Sequence, residues 1–209
     1  MNIGPIKTHP YWHVRDLINS WRDRISHLYL SYYEYIPQSV EDPRTELTIT
    51  TSQFIDPVEI QNIIDATPEG HELAFHSRVH TTSGQFMHIP LIDMSTGSAA
   101  QLEKLRPFLG DLFNEFHWYT SGRSFHGYSA TVVNFERWAS IMGFLLLANQ
   151  KGLPPTVDPR WIGHRLIAGY SALRWTKNTK HYLEVPQSLS QARRLGVARG
   201  AASQEAPPK

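Results

Sequence analysis

The sequence contains no cysteine, almost no net charge and no apolar run long enough to cross a bilayer. Without cysteine, the protein cannot form disulfides, bind zinc through thiolates or use a thiol nucleophile. A formal net charge of +1 over 209 residues argues against a protein that coats nucleic acid by bulk electrostatics. The longest apolar run, IMGFLLLA, is too short to span a membrane, and the N-terminus has no signal-peptide pattern. We therefore expect a soluble, cytoplasmic protein with one large domain, in which any phosphate recognition needs a local cluster of cations.

Hydrophobic periodicity and turn residues predict interleaved strands and helices, which indicates an α+β fold. Strands are predicted at 28–36, 46–51, 72–82, 85–94, 116–120, 129–133, 171–176 and 181–186, and helices near residues 12–21 and at 56–66, 98–116, 135–150 and 159–168. Asp56 and Asp158 are each followed by proline and are predicted N-caps, Ser98 with Gln101 fits a capping box, and Gly169 is a predicted helix stop. Pro107 is expected to bend its helix. From residue 187 the composition turns to Ser, Ala, Gln, Arg, Gly and Pro, which predicts a disordered tail over 187–209.

Two aspartates are candidate metal ligands. Asp93 ends the apolar strand HIPLID, and a carboxylate at a strand end suits Mg²⁺, which takes one or two carboxylates together with substrate phosphates. The alternative is a structural role, in which Asp93 is a loop aspartate that hydrogen-bonds its own backbone. Asp158 has the alternative role of helix cap, and a cap can also bind metal unless its side chain must face one way.

The segment SGRSFHGY, residues 121–128, carries candidate phosphate ligands. Residues i and i+2 of a strand point to the same face, so Ser124 and His126 should lie side by side, with Arg123 next to them. These donors suit a phosphate, although they could also be ordinary strand residues beside a glycine turn.

A second group of cations follows in HRLIAGYSALRWTKNTK, where Arg165, Arg174, Lys177 and Lys180 occur in a short span. Arginine matches phosphate oxygens with two parallel hydrogen bonds. Surface charge is the alternative explanation. Together with Arg123, these residues point to a triphosphate or a nucleic-acid strand.

The order of these elements resembles the archaeo-eukaryotic primase superfamily, the primases and primase-polymerases. Its three signatures, an acidic pair that closes a strand, a small-x-His element and a hydrophobic-Asp element, match LIDMS (91–95), SFH (124–126) and VD (157–158). The segment LRWTKNTK is similar to the basic segment that follows the last acid. The resemblance covers roughly 85–186.

This resemblance implies an α+β fold in which an RRM-like antiparallel sheet with packed helices (85–186) joins a smaller αβ part (1–84) of the same domain. It implies catalysis by Asp93, Asp158 and His126, with Mg²⁺ or Mn²⁺ held by the two aspartates. Phosphate binding would fall to Arg123, Ser124, His126, Arg165, Arg174, Lys177 and Lys180. The implied partners are nucleoside triphosphates and single-stranded or primed nucleic acid, with no membrane.

One departure from the superfamily pattern keeps several functions open. Position 95 is serine where the first signature usually has its second acid, so Asp93 is the only acid of this signature in the sequence. Metal-dependent nucleotidyl transfer to a 3′-hydroxyl is one interpretation. Another is a catalytically impaired nucleotide- or nucleic-acid-binding module of the same fold that acts with a partner protein. A two-histidine phosphoesterase is a third, since His80-Thr81-Thr82 forms one His-x-Thr, but the matching second copy is missing. A purely structural domain is the fourth.

Overall fold

The computed structural model describes residues 4–189, which form two antiparallel sheets surrounded by helices. In chain order the elements are α1 (Tyr11–Ser20), β1 (Ile25–Tyr33), β2 (Arg44–Thr50), α2 (Thr51–Ile55), α3 (Pro57–Asp65), β3 (Glu72–Thr81), β4 (Phe86–His88), β5 (Leu91–Asp93), a 3₁₀ helix (Ala99–Leu105), α4 (Arg106–Leu109), a second 3₁₀ helix (Gly110–Glu115), β6 (Phe116–Thr120), β7 (Phe125–Ser129), α5 (Phe135–Leu147), α6 (Pro159–Ala168), β8 (Ala172–Arg174) and β9 (Gln187–Ser188).

The first sheet has the strand order β2-β1-β3-β4, with β8 also paired to β3, and the second has the order β5-β7-β6-β9. Every strand pairing in both sheets is antiparallel. This architecture confirms the predicted α+β class. The turn at residue 84 joins β3 to β4 within the first sheet, and β8 returns to that sheet from far along the chain. The two parts predicted on either side of residue 84 therefore share one sheet.

Two hydrophobic clusters hold the sheets in place. One cluster packs the first three helices against the first sheet, where Trp175 stacks on Phe75 with ring centroids 5.0 Å apart. The other packs α5 and the 99–115 segment against the second sheet. Leu91 and Tyr128 of the second sheet belong to the first cluster, so the sheets are tied together through it. Each large apolar side chain buried in this way contributes about 1.5–3 kcal/mol.

Several local predictions are confirmed by the capping geometry. Asp56 caps α3 by accepting a hydrogen bond from the backbone N–H of Val58, and Asp158 caps α6 in the same way. In both helices proline follows the cap. Gly169 ends α6 in the left-handed conformation, with φ of 77°, where a side chain would be strained.

Other local predictions are wrong. The expected single helix over 98–116 is a 3₁₀ helix, one short α-helical turn and a second 3₁₀ helix. Pro107 lacks an N–H to continue the helix, and Gly110 interrupts it with φ of 57°. Ser98 makes no capping hydrogen bond with its side chain. Residues 181–186 form no strand, since that segment consists of turns, bends and irregular backbone.

Two further findings concern the ends of the chain and the membrane. Residues 187 and 188, predicted as the start of a disordered tail, pair with β6 as β9. The remainder of that predicted tail, 190–209, lies outside the described residues. Within residues 4–189, no helix has the length and apolar character that a bilayer crossing requires.

Candidate functional site

Sheet register brings the three main candidate residues together in one row. Asp93, the last residue of β5, pairs directly with His126 of β7. On the other side of Asp93, the chain segment before α6 runs antiparallel, with a bridge between Met94 and Val157 and a hydrogen bond of 3.0 Å from the Asp158 N–H to the Asp93 carbonyl. Directly paired residues lie on the same face, with Cβ atoms about 4.5–5.5 Å apart. Asp158, Asp93 and His126 are therefore neighbours, as the sequence motifs predict.

Asp158 combines the role of helix cap with an open carboxylate oxygen. Its Oδ1 accepts hydrogen bonds from the backbone N–H groups of Arg160, at 2.8 Å, and Trp161, at 3.2 Å. Among the described residues, Oδ2 has no hydrogen-bond partner. The capping interpretation is thus confirmed, and it leaves one oxygen available to a ligand.

Asp93 lies in surroundings that disfavour its negative charge. Burial, and then the neighbouring charge of Asp158, raise the pKa of Asp93 to about 8, while the Arg174 guanidinium acts in the opposite direction. Two carboxylates side by side in a partly desolvated site are stabilised by a shared cation. Such a site favours a divalent ion over two free anions.

The donors present fit one divalent ion. Within residues 4–189, no group of three or more histidine, aspartate or glutamate side chains is arranged to hold a metal. Asp93 and Asp158 supply two hard oxygen ligands, and Mg²⁺ in such sites completes its shell with water and substrate phosphates. Ser95, where a further acid is expected, is exposed and supplies no carboxylate. A site that holds two ions on protein carboxylates alone does not fit this donor set.

His126 is a neutral imidazole. Burial, and secondly the charge of Arg174, lower its pKa to about 3. Its Nε2 lies 3.6 Å from Asp93 Oδ1, which is too far for a hydrogen bond, and the neutral ring makes no salt bridge there. Its Nδ1 is buried without a hydrogen-bond partner in the described part of the chain. A neutral ring can donate one N–H to a phosphate oxygen without adding charge.

The loop between β6 and β7 places the other predicted phosphate ligands beside this row. The hydroxyls of Ser121 and Ser124 are 3.0 Å apart and hydrogen-bonded, and Arg123 is exposed. Gly122 has φ of 105°, and a Cβ there would lie 3.0 Å from the Cβ of Leu183. Glycine thus allows this loop to pack closely against the segment after β8. Ser124 lies just before β7 and lines the same cavity as His126.

Arg174 joins three backbone segments of the site through hydrogen bonds. Its guanidinium donates to the carbonyls of Ser121, Glu184 and Thr176, and stacks on the Tyr182 ring at 4.0 Å from the centroid. It also influences the pKa values of both Asp93 and His126. Arg174 therefore contributes positive charge to the site, while most of its donors are bound to the backbone.

Arg165 reaches the site from α6 and is paired with an acid that sequence reasoning missed. Its side chain is 2% exposed and its Nη2 forms an ion pair with Asp42 Oδ2. Arg44 binds the same oxygen at 2.8 Å. Arg165 Nη1 is buried and has no hydrogen-bond partner among residues 4–189. The only sequence signal for Asp42 was its place in an Asp-Pro turn, and Tyr182 had none beyond following the basic segment.

The two predicted lysines do not join this site, which corrects the sequence interpretation. Lys177 lines a separate depression with His9 and Gln61, and Lys180 is exposed. Neither lines the cavities that contain Asp93. Both follow Arg174 in a segment that continues along β3 to Glu72, whose carboxylate accepts from the N–H groups of Asn178 and Thr179, so their closeness to Arg174 in sequence does not place them at the site.

Two cavities meet at the row of Asp158, Asp93 and His126. Both are lined by these three residues and by Arg174 and Tyr182. The first, which we name the helix-side cavity, has a volume of about 310 Å³ and is further lined by Tyr33, Tyr35, Arg44, Arg160, Trp161 and Arg165. The second, the loop-side cavity, has a volume of about 320 Å³ and is further lined by Ser95, Ser121, Arg123, Ser124 and His181. Both volumes are at the lower end of the range of about 300–1,000 Å³ that is usual for ligand sites.

Comparison with known proteins identifies the family of this chain. The family model described as archaeo-eukaryotic primase 1D-like matches residues 52–187, a span that contains Asp93, His126 and Asp158. No significant match was found among curated proteins or among solved structures. The matched span covers well over half of the chain and agrees with the order of motifs in the sequence and with the α+β architecture. The chain therefore belongs to the archaeo-eukaryotic primase superfamily, in its 1D-like family.

Proposed function

We propose that this protein binds nucleoside triphosphate and nucleic acid and transfers a nucleotidyl group to a 3′-hydroxyl, as a primase or primase-polymerase. The observation that carries the proposal is the row of Asp158, Asp93 and His126, which lies where two cavities meet. The row joins three signatures that are far apart in the sequence. Membership of a primase family supports the same reaction class.

The triphosphate is best accommodated in the loop-side cavity. Arg123 and Arg174 supply positive charge there, and Ser124 and His126 supply hydrogen-bond donors. Because the imidazole of His126 is neutral, it donates to a phosphate oxygen without forming a competing ion pair with Asp93. Charge-assisted hydrogen bonds of this kind contribute about 1.5–3 kcal/mol each.

Asp93 and Asp158 would hold one Mg²⁺ or Mn²⁺, which when bound neutralises phosphate charge and favours the attacking alkoxide. Through such an ion the two carboxylates would hold the α-phosphate of the nucleotide at the site, while Arg174 fixes the wall of the site by its bonds to three carbonyls. In the reaction, the 3′-oxygen forms a bond to the α-phosphorus, the bond from that phosphorus to the bridging oxygen breaks, and pyrophosphate leaves. The hydroxyl proton passes to solvent.

The second candidate is a binding module of the same fold that acts with a partner protein and has no turnover. Ser95 favours it, because the described part of the chain offers two carboxylates at the site and the nucleotide must complete the ion's shell. Nucleotide binding is common to both candidates. They differ in whether a product forms.

One experiment separates them. The full chain is incubated with template, with and without primer, labelled nucleotides and Mn²⁺, and nucleotide affinity is measured in parallel by calorimetry. We expect extension products from the wild type, none from Asp93→Asn, and weaker nucleotide binding by His126→Ala, with folding checked by circular dichroism. Nucleotide binding without any product would favour the binding module. If the wild type binds no nucleotide in the presence of Mn²⁺, both candidates are wrong.

A further inference from the structure

The two cavities at the site share five residues but differ in what else lines them, and this difference suggests different ligands. The inference rests on the proposed function, because nucleotidyl transfer has two reactants: a nucleoside triphosphate and the nucleotide or strand end that carries the 3′-hydroxyl. A site for one reactant alone would need one cavity. Here two cavities approach the same pair of aspartates from different elements of the fold.

The loop-side cavity suits the more highly charged reactant. Among the described residues, Asp93 and Asp158 are the only carboxylates in its lining, and Arg123 and Arg174 are its arginines. The hydroxyls of Ser121 and Ser124 add neutral donors. A triphosphate fits these surroundings, since its negative charge meets cations and donors with no further acid.

The helix-side cavity has a different composition. Arg44 and Arg165 share one acid, Asp42, so this trio carries an excess positive charge of about one unit at neutral pH. Glu34 and Glu41 also line this cavity, but both are exposed, so solvent and salt screen their charges more than those of the buried trio. Arg165 lines the cavity, is 2% exposed, and keeps Nη1 buried without a hydrogen-bond partner in the described part of the chain. A buried guanidinium with a free donor is costly unless a ligand completes it. One phosphate of a nucleotide or phosphodiester would do so.

Aromatic rings line the same cavity. Tyr33 and Tyr182 are hydrogen-bonded through their hydroxyls at 3.2 Å, and Tyr35 stacks near His181 with centroids 4.1 Å apart. Tyr35 is 43% exposed, which leaves ring surface open to a ligand. Stacking of bases on aromatic side chains is worth about 1–3 kcal/mol per base in single-strand binding proteins and tolerates any base.

Phosphoryl transfer places the attacking and leaving oxygens roughly in line on either side of phosphorus. If pyrophosphate leaves through the loop-side cavity, the attacking 3′-oxygen must approach from elsewhere, and the helix-side cavity is the other one that reaches the aspartates. We propose that the helix-side cavity binds the strand end or initiating nucleotide that carries the 3′-hydroxyl, and that the buried guanidinium of Arg165 recognises its phosphate.

The test measures binding of the two reactants separately in the full chain. A fluorescein-labelled, ten-nucleotide single-stranded DNA with a free 3′-hydroxyl is titrated by anisotropy, and a nucleoside triphosphate with Mn²⁺ by calorimetry, both at one fixed salt concentration. The helix-side variants are Arg165→Met and, because Arg165 is buried, the exposed Tyr35→Ala as a second probe. Arg123→Ala tests the loop-side cavity. Arg137→Ala removes an exposed arginine from α5, away from both cavities, as the matched control.

Loss of one charge-assisted phosphate contact corresponds to about tenfold or more in affinity. We expect Arg165→Met to weaken strand binding about tenfold and Tyr35→Ala to weaken it several-fold, each with nucleotide affinity nearly unchanged. Arg123→Ala should show the reverse pattern. The inference is overturned if the helix-side variants weaken nucleotide binding instead, which would place the incoming nucleoside there, or if strand affinity changes no more than in Arg137→Ala. Failure of the wild type to bind nucleotide and Mn²⁺ would instead refute the proposed function.

Discussion

Substitution of Asp158 can separate its role as helix cap from its proposed role as metal ligand. Asparagine is as good an N-cap as aspartate, so Asp158→Asn should keep the hydrogen bonds to the N–H groups of Arg160 and Trp161. It removes the negative charge beside Asp93. Asp158→Ala removes both the cap and the charge. A comparison of the two variants therefore isolates each contribution.

The expected magnitudes follow from the geometry. Loss of an aspartate cap costs about 1 kcal/mol, which lowers the melting temperature of a protein of this size by about 2–4 °C. Above pH 8, where Asp93 is ionised as well, two unit charges about 5 Å apart, the spacing of directly paired residues, repel by about 3 kcal/mol at an effective dielectric constant of about 20, and solvent reduces this further. Without metal, Asp158→Asn should thus be at least as stable as the wild type, and more stable than Asp158→Ala by about 1 kcal/mol.

The assay is thermal unfolding with and without Mn²⁺. Ion binding stabilises the folded state, so the melting temperature of the wild type should rise with Mn²⁺ concentration. Neither Asp158 variant should show that rise. Asp56 provides the matched control, because it caps α3 with the same Asp-Pro arrangement and is exposed outside the site. Asp56→Asn and Asp56→Ala should differ in stability from each other, yet both should keep the full response to Mn²⁺.

Two results would refute this reasoning. If Asp158→Asn responds to Mn²⁺ as strongly as the wild type, Asp158 is a helix cap alone. If Asp158→Asn and Asp158→Ala are equally stable while the Asp56 variants differ, the two hydrogen bonds at α6 do not contribute as a cap.

Three further predictions concern the buried polar groups around the site. The pKa of Asp93 is raised in the folded state, so this carboxyl destabilises the fold increasingly as the pH rises from about 4 towards 8. In metal-free urea unfolding, the free energy of unfolding of Asp93→Asn should exceed that of the wild type by about 1–2 kcal/mol at pH 8 and by nothing at pH 4. An equal difference at both pH values would contradict the raised pKa. Arg174→Lys keeps the charge but cannot span three carbonyls, and should lower the free energy of unfolding by about 2 kcal/mol; an unchanged denaturation midpoint would rule this out. Glu72 is fully buried and accepts hydrogen bonds from the backbone N–H groups of Asn178 and Thr179. Glu72→Gln should therefore lower the free energy of unfolding by about 2–3 kcal/mol and speed amide hydrogen exchange at these two residues. Exchange protection equal to that of the wild type would contradict this role of Glu72.

Much of the site could be identified in advance because its signals are local. A strand-terminal aspartate, a serine and a histidine two residues apart, and a Val-Asp before a helix are patterns that short segments carry by themselves. The cap at Asp158 depends only on backbone geometry within a few residues, and the structure confirms it.

Local patterns also failed where tertiary packing decided the outcome. The apolar residues of 98–116 have helical spacing and are buried against α5 and the second sheet as expected, but the backbone there is largely 3₁₀, interrupted at Pro107 and Gly110. Lys177 and Lys180 were grouped with Arg174 by sequence distance, but after β8 the chain continues along β3 to Glu72, and neither lysine lines the cavities at the site. A residue's neighbour in space is set by packing over the whole fold.

By itself, the sequence determined the fold class, the main helix caps and the identities of Asp93, His126 and Asp158 as residues that belong together. Only the tertiary structure decided that these three form one row, that two cavities meet there, and that Arg165 reaches the site paired with Asp42. The physical reason is the range of the interactions. Caps and strand alternation act over a few residues, whereas strand register and buried ion pairs join segments that are distant in sequence and form only when the hydrophobic clusters close.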